Sequence, residues 1–311
     1  RDCSKSWLIS LLSRNVYNQK NHLKEVVLQN KSINSVGVIL RPSTPELKSS
    51  FFELKDIFSS YGIEVYIESI SGGMIDVMGM EFEILSKQCD ALVTLGGDGT
   101  LISAVRRSFA YEIPIFGVYA GNLGFLADVS MDELDDFVKK LAIGDYRIDE
   151  RSVLEATFIK NDQEIKVHAF NDIVFTRPSI SNMIHVETLV DKKAFNTYFG
   201  DGVVISTPTG STAYNLSAGG PVLFPLTKVF TLTPICPHSL TQRPVVLPGE
   251  FSIEMKTTDS KALIIVDGQD MHEFNQGDSI HIKLSDKYAK LIHRNEFNYF
   301  EVLKEKLGWG E

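Results

Sequence analysis

A glycine- and aspartate-rich pentapeptide, GGDGT at 96–100, follows a buried apolar stretch at 91–95 and precedes a helix predicted over 101–109. Ligands of open α/β sheets bind at the carboxyl ends of strands. Glycines allow a close approach of the backbone, and a helix start at Thr100 would offer N–H groups to a phosphate. Asp98 would repel phosphate unless it binds a metal ion or takes up a proton, so it is a candidate general base for an attacking hydroxyl. The alternative is a tight turn in which Asp98 caps the helix.

A hydroxyl-rich segment, TPTGSTAYNLSAGGP at 207–221, follows a second apolar stretch. Six hydroxyl side chains fall within eleven residues, 207–217, and they can hydrogen-bond a polar ligand without adding charge. Tyr214 can stack on a flat base, and the small Ala213 leaves room for a ring. The alternative is a short helix capped by Ser and Thr that ends at the two glycines.

Polar residues interrupt apolar sequence at two further places. Asn171 and Asp172 lie in HAFNDIVF, where adjacent strand residues point to opposite faces, so we expect only one of them to face a ligand. A carboxylate can accept two hydrogen bonds from a ribose diol, and Asp201 in Gly-Asp-Gly is a second candidate for this role. Edge exposure or a common turn would explain the same residues.

Two other features have simple structural explanations. Asp267 and Gly268 lie between predicted strands and are typical of a hairpin turn. His238 is an isolated histidine, and such residues are more often structural than catalytic.

The elements that would position these residues form two units. Strands alternate with helices over 35–145, which predicts a parallel, doubly wound α/β sheet. Strands in series over 146–290, one of them spanning 166–175, predict a β-rich second domain with one short helix near 211–217. Residues 291–311 contain a further helix, which we expect to pack back on the first domain. Residues 1–34 are interpreted as a helical or loosely ordered extension rather than a signal peptide.

Composition narrows the class of protein. The formal net charge of −9 disfavours nucleic acid and anionic membranes as partners, and no apolar run approaches the roughly 18 residues that span a bilayer. The three cysteines, Cys3, Cys89 and Cys236, are far apart and form no CxxC pair, which argues against a disulfide framework and a zinc site. A reducing cytoplasm is therefore expected.

Several nucleotide-binding classes are excluded by missing motifs. The chain has no GxxxxGK[ST] of P-loop enzymes, no HRD and DFG set of protein kinases, and GGDG does not fit the GxGxxG of a dinucleotide-binding Rossmann unit. If the protein transfers phosphoryl groups, it uses another architecture.

The order of the motifs resembles that of the bacterial NAD kinase family. The motifs are GGDGT at 96–100, GNLGF at 121–125, NDIV at 171–174, GDGVVISTPTGSTAYNLSAGGPV at 200–222 and PHSLTQRPVV at 237–246. The resemblance runs from about Val36 to about Leu303. Diacylglycerol-type lipid kinases and phosphofructokinases carry similar GGDG turns, whereas STPTGSTAY is far more specific.

The resemblance implies an enzyme that transfers a phosphoryl group from ATP to the adenosine-ribose 2′-hydroxyl of NAD, with Mg²⁺ as the divalent cation. It implies that Asp98 accepts the proton of that hydroxyl. The substrate-binding residues that it implies are Gly99, Asn171, Asp172, Asn182, Asp201, Thr212, Ala213, Tyr214, Ser217, His238 and Gln269. It also implies a homodimer or homotetramer.

The chain departs from the family pattern at two positions. Tyr198 and Phe199 stand where some members have a basic residue before the GDG turn, so a cationic contact is not expected there. Asp172 stands where many members have Glu, with a shorter reach but the same chemistry. Two alternatives remain open at this point, a lipid kinase of the same superfamily and a nucleotide-sensing module without catalysis.

Overall fold

The computed structural model describes residues 30–309 apart from 120, 122–123 and 180–181. The predicted extension therefore lies outside the described residues up to position 29. Ile33, at its end, is buried against the core of the first domain. No helix within the described residues is both long and apolar enough to cross a membrane.

The strands, in chain order, are β1 (Ser35–Leu40), β2 (Glu64–Ile67), β3 (Ala91–Gly96), β4 (Ile115–Tyr119), β5 (Val129–Ser130), β6 (Arg147–Arg151), β7 (Leu154–Lys160), β8 (Gln163–Ala169), β9 (Asp172–Thr176), β10 (Ile184–Val190), β11 (Lys193–Gly200), β12 (Gly202–Ser206), β13 (Val229–Ile235), β14 (Val245–Pro248), β15 (Ile253–Thr257), β16 (Lys261–Val266), β17 (Asp270–Asn275), β18 (Ser279–Leu284) and β19 (Ala289–His293). The α-helices are α1 (Lys48–Ser60), α2 (Ser69–Met74), α3 (Phe82–Gln88), α4 (Asp98–Ser108), α5 (Leu134–Ala142), α6 (Tyr214–Ser217) and α7 (Tyr299–Leu307). Short 3₁₀ turns occupy Pro45–Leu47, Phe109–Tyr111 and Thr209–Thr212.

The first sheet has the strand order β2, β1, β3, β4, β19 and β6, with β5 beside β4. Its pairs are parallel except for β6, which runs antiparallel to β19. Every residue of β3 is buried, as expected for a largely apolar strand covered on both faces. The predicted doubly wound α/β domain is confirmed.

The second domain consists of two antiparallel sheets. One has the order β11, β10, β15, β18, β7 and β8, and the other has the order β14, β13, β12, β9, β16 and β17. Side chains of both antiparallel sheets share one hydrophobic core, in which Val186 and Met255, from the sheet of β10 and β15, meet Ile173 and Ile205, from the sheet of β9 and β12. The prediction of a β-rich second domain is confirmed, and its form is a sandwich.

Two strand assignments differ from the sequence-based prediction. The single strand expected over 166–175 is two strands, β8 and β9, which belong to different sheets. The chain leaves one sheet at Phe170 and Asn171 because an aspartate from elsewhere in the sequence holds their amides. Strand β6, assigned to the second unit, pairs with β19 in the first sheet.

A buried charged cluster fixes β19 in the first sheet. His293 Nδ1 lies 2.9 Å from Asp128 Oδ2, and its Nε2 lies 3.2 Å from a guanidinium nitrogen of Arg151. Arg151 also pairs with Asp149 at 3.0 Å. Burial lowers the pKa of Arg151, and the charge of Asp149 opposes that shift. The segment after 290 thus returns to the first domain.

Candidate functional site

Asp98 is the first residue of α4, at the carboxyl end of β3. Its Oδ2 accepts the N–H of Phe125 at 2.8 Å, and its Oδ1 accepts those of Leu126 and Ala127 at 3.1 Å each. The positive end of the helix dipole also favours a carboxylate here. These contacts fix the orientation of Asp98, and since an ionised carboxylate has about four acceptor sites, one remains for a substrate hydroxyl.

The loop that holds Asp98 approaches it closely because position 124 is glycine. A Cβ atom at Gly124 would lie 2.0 Å from Oδ1 of Asp98. The helix starts earlier than predicted, and the amides of Thr100 and Leu101 both donate to the carbonyl of Gly97, at 3.0 and 3.3 Å. The expectation that these two amides are free for phosphate is therefore wrong; in the first turn of a helix, the amides that precede them are the ones without an intrahelical acceptor.

Asn171 and Asp172 lie at the junction of β8 and β9, where one buried carboxylate holds the backbone. Asp267 accepts the N–H groups of residues 170, 171 and 172, at 2.8, 2.7 and 3.0 Å. Because Asn171 is outside the strands, the alternation of a strand does not apply, and both side chains line the same cavity. The expectation that only one would face it is wrong. Oδ1 of Asn171 is buried without a hydrogen-bond partner among the described residues.

The ionisation of Asp172 is shifted towards neutrality. Burial raises the pKa of Asp172 to about 7, and the negative charge of Asp267 adds to the shift. Burial also raises the pKa of Asp267, while the three N–H groups and the guanidinium of Arg106 oppose that shift. A perturbed carboxyl in a cavity is typical of a functional site.

The hydroxyl-rich segment packs on the same junction. The Thr207 hydroxyl donates to the carbonyl of Phe170 at 2.7 Å, and the Thr207 amide donates to the carbonyl of Asn171 at 2.9 Å. A Cβ atom at Gly210 would lie 2.1 Å from that carbonyl oxygen. Two of the sequence motifs, NDIV and the hydroxyl-rich segment, are thereby in contact although they are far apart in the chain.

Asn215 organises the rest of this segment. It is fully buried, and its amide group donates to the carbonyls of Ser211 and Pro221, each at 3.0 Å. Its Oδ1 accepts the hydroxyls of Thr231 and Thr233 at 3.0 and 2.6 Å. The hydroxyl-rich loop is thus fastened to β13.

A cavity of about 390 Å³ lies between these elements. Asn171 and Asp172 line it from one side, and Ala213 and Tyr214 line it from the other. Tyr214 is 44% exposed, and partial burial raises its pKa. An exposed ring beside two polar residues can stack on a nucleoside base while the polar residues bind its sugar.

A second cavity of about 790 Å³ lies at the carboxyl ends of the parallel strands. Gly97, Gly99 and Thr100 of the GGDGT motif line it, together with Gln269. The preceding residues of the same turn, Asp267 and Gly268, line the smaller cavity. The turn at 267–269 therefore borders both cavities.

Asp98 and the other predicted residues lie outside the linings of the two cavities. Asp201 receives a hydrogen bond from Arg177 at 3.0 Å. His238 is exposed, and its ring contacts Phe199 with centroids 5.4 Å apart. The remaining positions are exposed at Asn182 and Ser217 and partly buried at Thr212.

Sequence reasoning missed three residues that hold the site together. The sequence predicts a hairpin turn at Asp267, which the family resemblance makes a plausible neighbour of NAD, but not that its side chain is fully buried and holds the Asn171 backbone. Arg106 and Asn215 were given no role. Each of the three has a charged or amide side chain, and its neighbours in the sequence carry no information about the distant groups that this side chain binds.

Comparison with known proteins places the chain in a family. The family model of the ATP-NAD kinase N-terminal domain matches residues 36–146, and that of the ATP-NAD kinase C-terminal domain matches residues 170–294. The chain belongs to the NAD kinase family. The resemblance drawn from the ordered motifs is therefore confirmed.

Relatives in the NAD kinase family match nearly their whole length. An NAD kinase of Sulfurimonas denitrificans is 66% identical over 91% of this chain and 100% of its own length. An NAD kinase of Wolinella succinogenes is 52% identical over 90% of this chain and 97% of its own. These identities support the NAD kinase assignment over a lipid kinase.

Solved structures of the family share the fold. Yeast NADH kinase complexed with NADH superposes with a TM-score of 0.84 at 27% identity, over 90% of this chain and 89% of that chain. An NAD kinase from Archaeoglobus fulgidus in complex with ATP superposes with a TM-score of 0.72 at 24% identity, over 88% and 98%. The second likeness bears on the fold alone.

Proposed function

We propose that this protein is an NAD kinase that transfers the terminal phosphoryl group of ATP to the adenosine-ribose 2′-hydroxyl of NAD. The observation that carries the proposal is the fixed Asp98 carboxylate at the carboxyl end of β3, between Gly97 and Gly99 of the larger cavity's lining, together with the 267–269 turn that borders both cavities. Membership of the family and relatives named NAD kinase support it.

In the proposed mechanism, Asp98 orients the 2′-hydroxyl and accepts its proton as the hydroxyl oxygen attacks the γ-phosphorus in line. The bond between the γ-phosphorus and the β–γ bridging oxygen breaks, and ADP leaves with that oxygen. The larger cavity, here called the donor cavity, takes ATP, with Gly99 beside the phosphates. The smaller cavity takes the adenosine part of NAD. Asp172 accepts hydrogen bonds from the ribose, Asn171 donates to the adenosine, and Tyr214 stacks beside Ala213. The shared turn then sets the distance between donor and acceptor.

The remaining residues in the proposal contact NAD beyond this pocket or border the donor cavity. Asp201 lies towards the nicotinamide end, with Thr212 and Ser217 around the bases and riboses. We also assign Asn182 and His238 to contacts with NAD, by the resemblance to the family, and Gln269 borders the larger cavity. The role of each residue can be tested by substituting it and measuring the dissociation constant of NAD.

The residues present fit a divalent cation that arrives with ATP. Among the described residues, no group of three or more His, Cys, Asp or Glu side chains can hold a metal ion. Mg²⁺ commonly keeps several waters and binds through substrate phosphates plus one or two carboxylates. Glu68 lines the larger cavity, and Asp98 is adjacent in sequence to its lining residues Gly97 and Gly99. A bound cation would neutralise phosphate charge there.

We further propose that the enzyme works in the cytoplasm as a homodimer or homotetramer. Cys236 is an exposed free thiol, which suits a reducing compartment. Sedimentation velocity at micromolar concentration would measure the assembly, and a monomer throughout would contradict the proposal.

One assay tests the activity directly. The protein is incubated with ATP, Mg²⁺ and NAD, and product is detected with an NADP-specific dehydrogenase. NADP formation is expected. Phosphorylation of diacylglycerol without NADP formation would favour the lipid kinase alternative, and NAD binding without any product would favour a sensing module.

The pKa of Asp172 predicts that NAD binding weakens as the pH falls through 7. Protonation removes an acceptor for the ribose hydroxyls, and a carboxyl of pKa about 7 is ionised to about 90% at pH 8 and about 10% at pH 6. The dissociation constant of NAD, measured without ATP, is expected to rise nearly tenfold between these pH values. Asp172→Asn should bind weakly at both values. A constant wild-type affinity from pH 6 to pH 8 would refute this role of Asp172.

A further inference from the structure

One arginine connects the helix of Asp98 to the second domain. Arg106 lies on α4, and its side chain is 13% exposed. Its Nε lies 3.3 Å from Asp267 Oδ2 and also donates to the carbonyl of His168 at 3.3 Å. Its terminal nitrogens bond Gln269 at 3.1 Å and Asp270. Every one of these partners belongs to the β-rich domain.

The carboxylate that Arg106 meets holds the acceptor side of the site. Asp267 is fully buried and accepts three consecutive amides at 170–172. Its backbone adopts a left-handed conformation, with φ of 50°, which is uncommon outside glycine. A buried carboxylate is costly unless it is both hydrogen-bonded and paired with an opposite charge. The three amides provide the hydrogen bonds, and Arg106 provides the charge.

We propose that Arg106 and Asp267 are a positioning pair that sets the NAD ribose against Asp98 across the two domains. This inference rests on the proposed function, since it assigns the ribose to Asn171 and Asp172. Asp98 and Arg106 are eight residues apart on one helix, about 12 Å along its axis. Asp98, the proposed general base, and Arg106, which binds the carboxylate that holds the NAD-binding backbone, therefore lie on the same rigid helix, α4.

The consequence of this arrangement is a tight coupling of geometry to rate. Errors of about 1 Å between reacting groups can cost on the order of 100-fold in rate. Without the pair, the 170–172 backbone would lose its fixed distance from α4, whereas the lining of the donor cavity by Gly97 and Gly99 would keep its place.

The test is a double-mutant cycle with Arg106→Met and Asp267→Asn. Each single variant is expected to raise the KM for NAD about tenfold and to lower kcat about tenfold, with the KM for ATP within about twofold of wild type. The double variant should have a kcat and a KM for NAD no further from wild type than those of the more impaired single variant. Both substitutions remove the same Arg106–Asp267 interaction, so their effects should not add. Asp267→Asn should also lower the pH midpoint of NAD binding, because it removes a negative charge that faces Asp172.

Two neighbours provide matched controls. Asp270 also bonds Arg106, but its side chain is 55% exposed. Asp270→Asn should therefore change kcat and the KM values for NAD and ATP by less than about twofold each. Arg107, the next residue of α4, pairs with Glu68 at the donor cavity. Arg107→Met should raise the KM for ATP and leave the KM for NAD unchanged.

Arg106→Lys makes the test independent of folding, because it keeps the charge but cannot reach His168, Asp267 and Gln269 together. If the KM for NAD rises at least about fivefold while the melting temperature of the variant stays at the wild-type value, the result supports the pair. Additive effects, or equal rises in both KM values, would overturn it. Absence of NADP formation by the wild-type enzyme would instead reject the proposed function.

Discussion

Asp98→Asn is expected to lower kcat about 1000-fold and to leave the dissociation constant of NAD within about threefold of wild type. The amide cannot take up the proton of the 2′-hydroxyl, so the attacking oxygen would have to lose it to water. The asparagine carbonyl oxygen can still accept the amides of Leu126 and Ala127, which keeps the loop close to its native position. Rapid-quench turnover and equilibrium NAD titration measure the two quantities separately.

Asp90 offers a matched control for this substitution. It precedes β3 as Asp98 follows it, and it accepts the amides of Asn34 and Ser35 at 2.9 and 3.2 Å. Asp90→Asn removes a comparable carboxylate from the opposite edge of the sheet, and kcat should stay within about twofold. A near-normal kcat in Asp98→Asn would eliminate the general-base role, and an equal loss in Asp90→Asn would show a general effect on the sheet.

Asn215→Ala is expected to destabilise the protein by about 3 kcal/mol, since it removes four hydrogen bonds and leaves buried partners unsatisfied. The abandoned groups are two buried threonine hydroxyls on β13 and two carbonyls of the hydroxyl-rich loop. Because that loop positions Tyr214, the KM for NAD should rise as well. Urea titration followed by tryptophan fluorescence and circular dichroism measures the loss.

Thr227→Ala is the corresponding surface control. The Thr227 hydroxyl donates to the carbonyl of Phe224 at 2.7 Å in an exposed turn, so its removal should cost less than about 0.5 kcal/mol. If Asn215→Ala unfolds at the wild-type urea concentration, water replaces the amide group and the network does not hold the loop.

The residues nearest to the chemistry could be predicted from the sequence because their local context is informative. Asp98 stands between a buried strand and a helix, and the carboxyl end of that strand is fixed by the α/β pattern alone. Tyr214 stands in a hydroxyl-rich segment that few folds require. For these residues, the motif and its flanking elements together specify the location.

The residues that hold the site could not be predicted in the same way. Arg106 and Asp267 are 161 positions apart in the chain, and neither periodicity nor spacing reports a contact at that distance. The break at Asn171 could not be predicted for the same reason, because the local sequence shows two polar residues but not the distant carboxylate that holds the backbone there. Tertiary contacts decided these points against the local pattern.

The position of β19 has a consequence for how the chain folds. This strand lies between β4 and β6 in the first sheet, although more than 130 residues of the sandwich separate it from β6 in sequence. The first sheet therefore stays incomplete until the region around residue 293 has been synthesised, and until then β4 exposes the part of its edge near Ile115 that β5 does not pair. Such long-range pairing slows folding, and exposed edges invite aggregation. We expect a fragment ending before residue 289 to aggregate and refolding of the whole chain to be limited by the docking of β19.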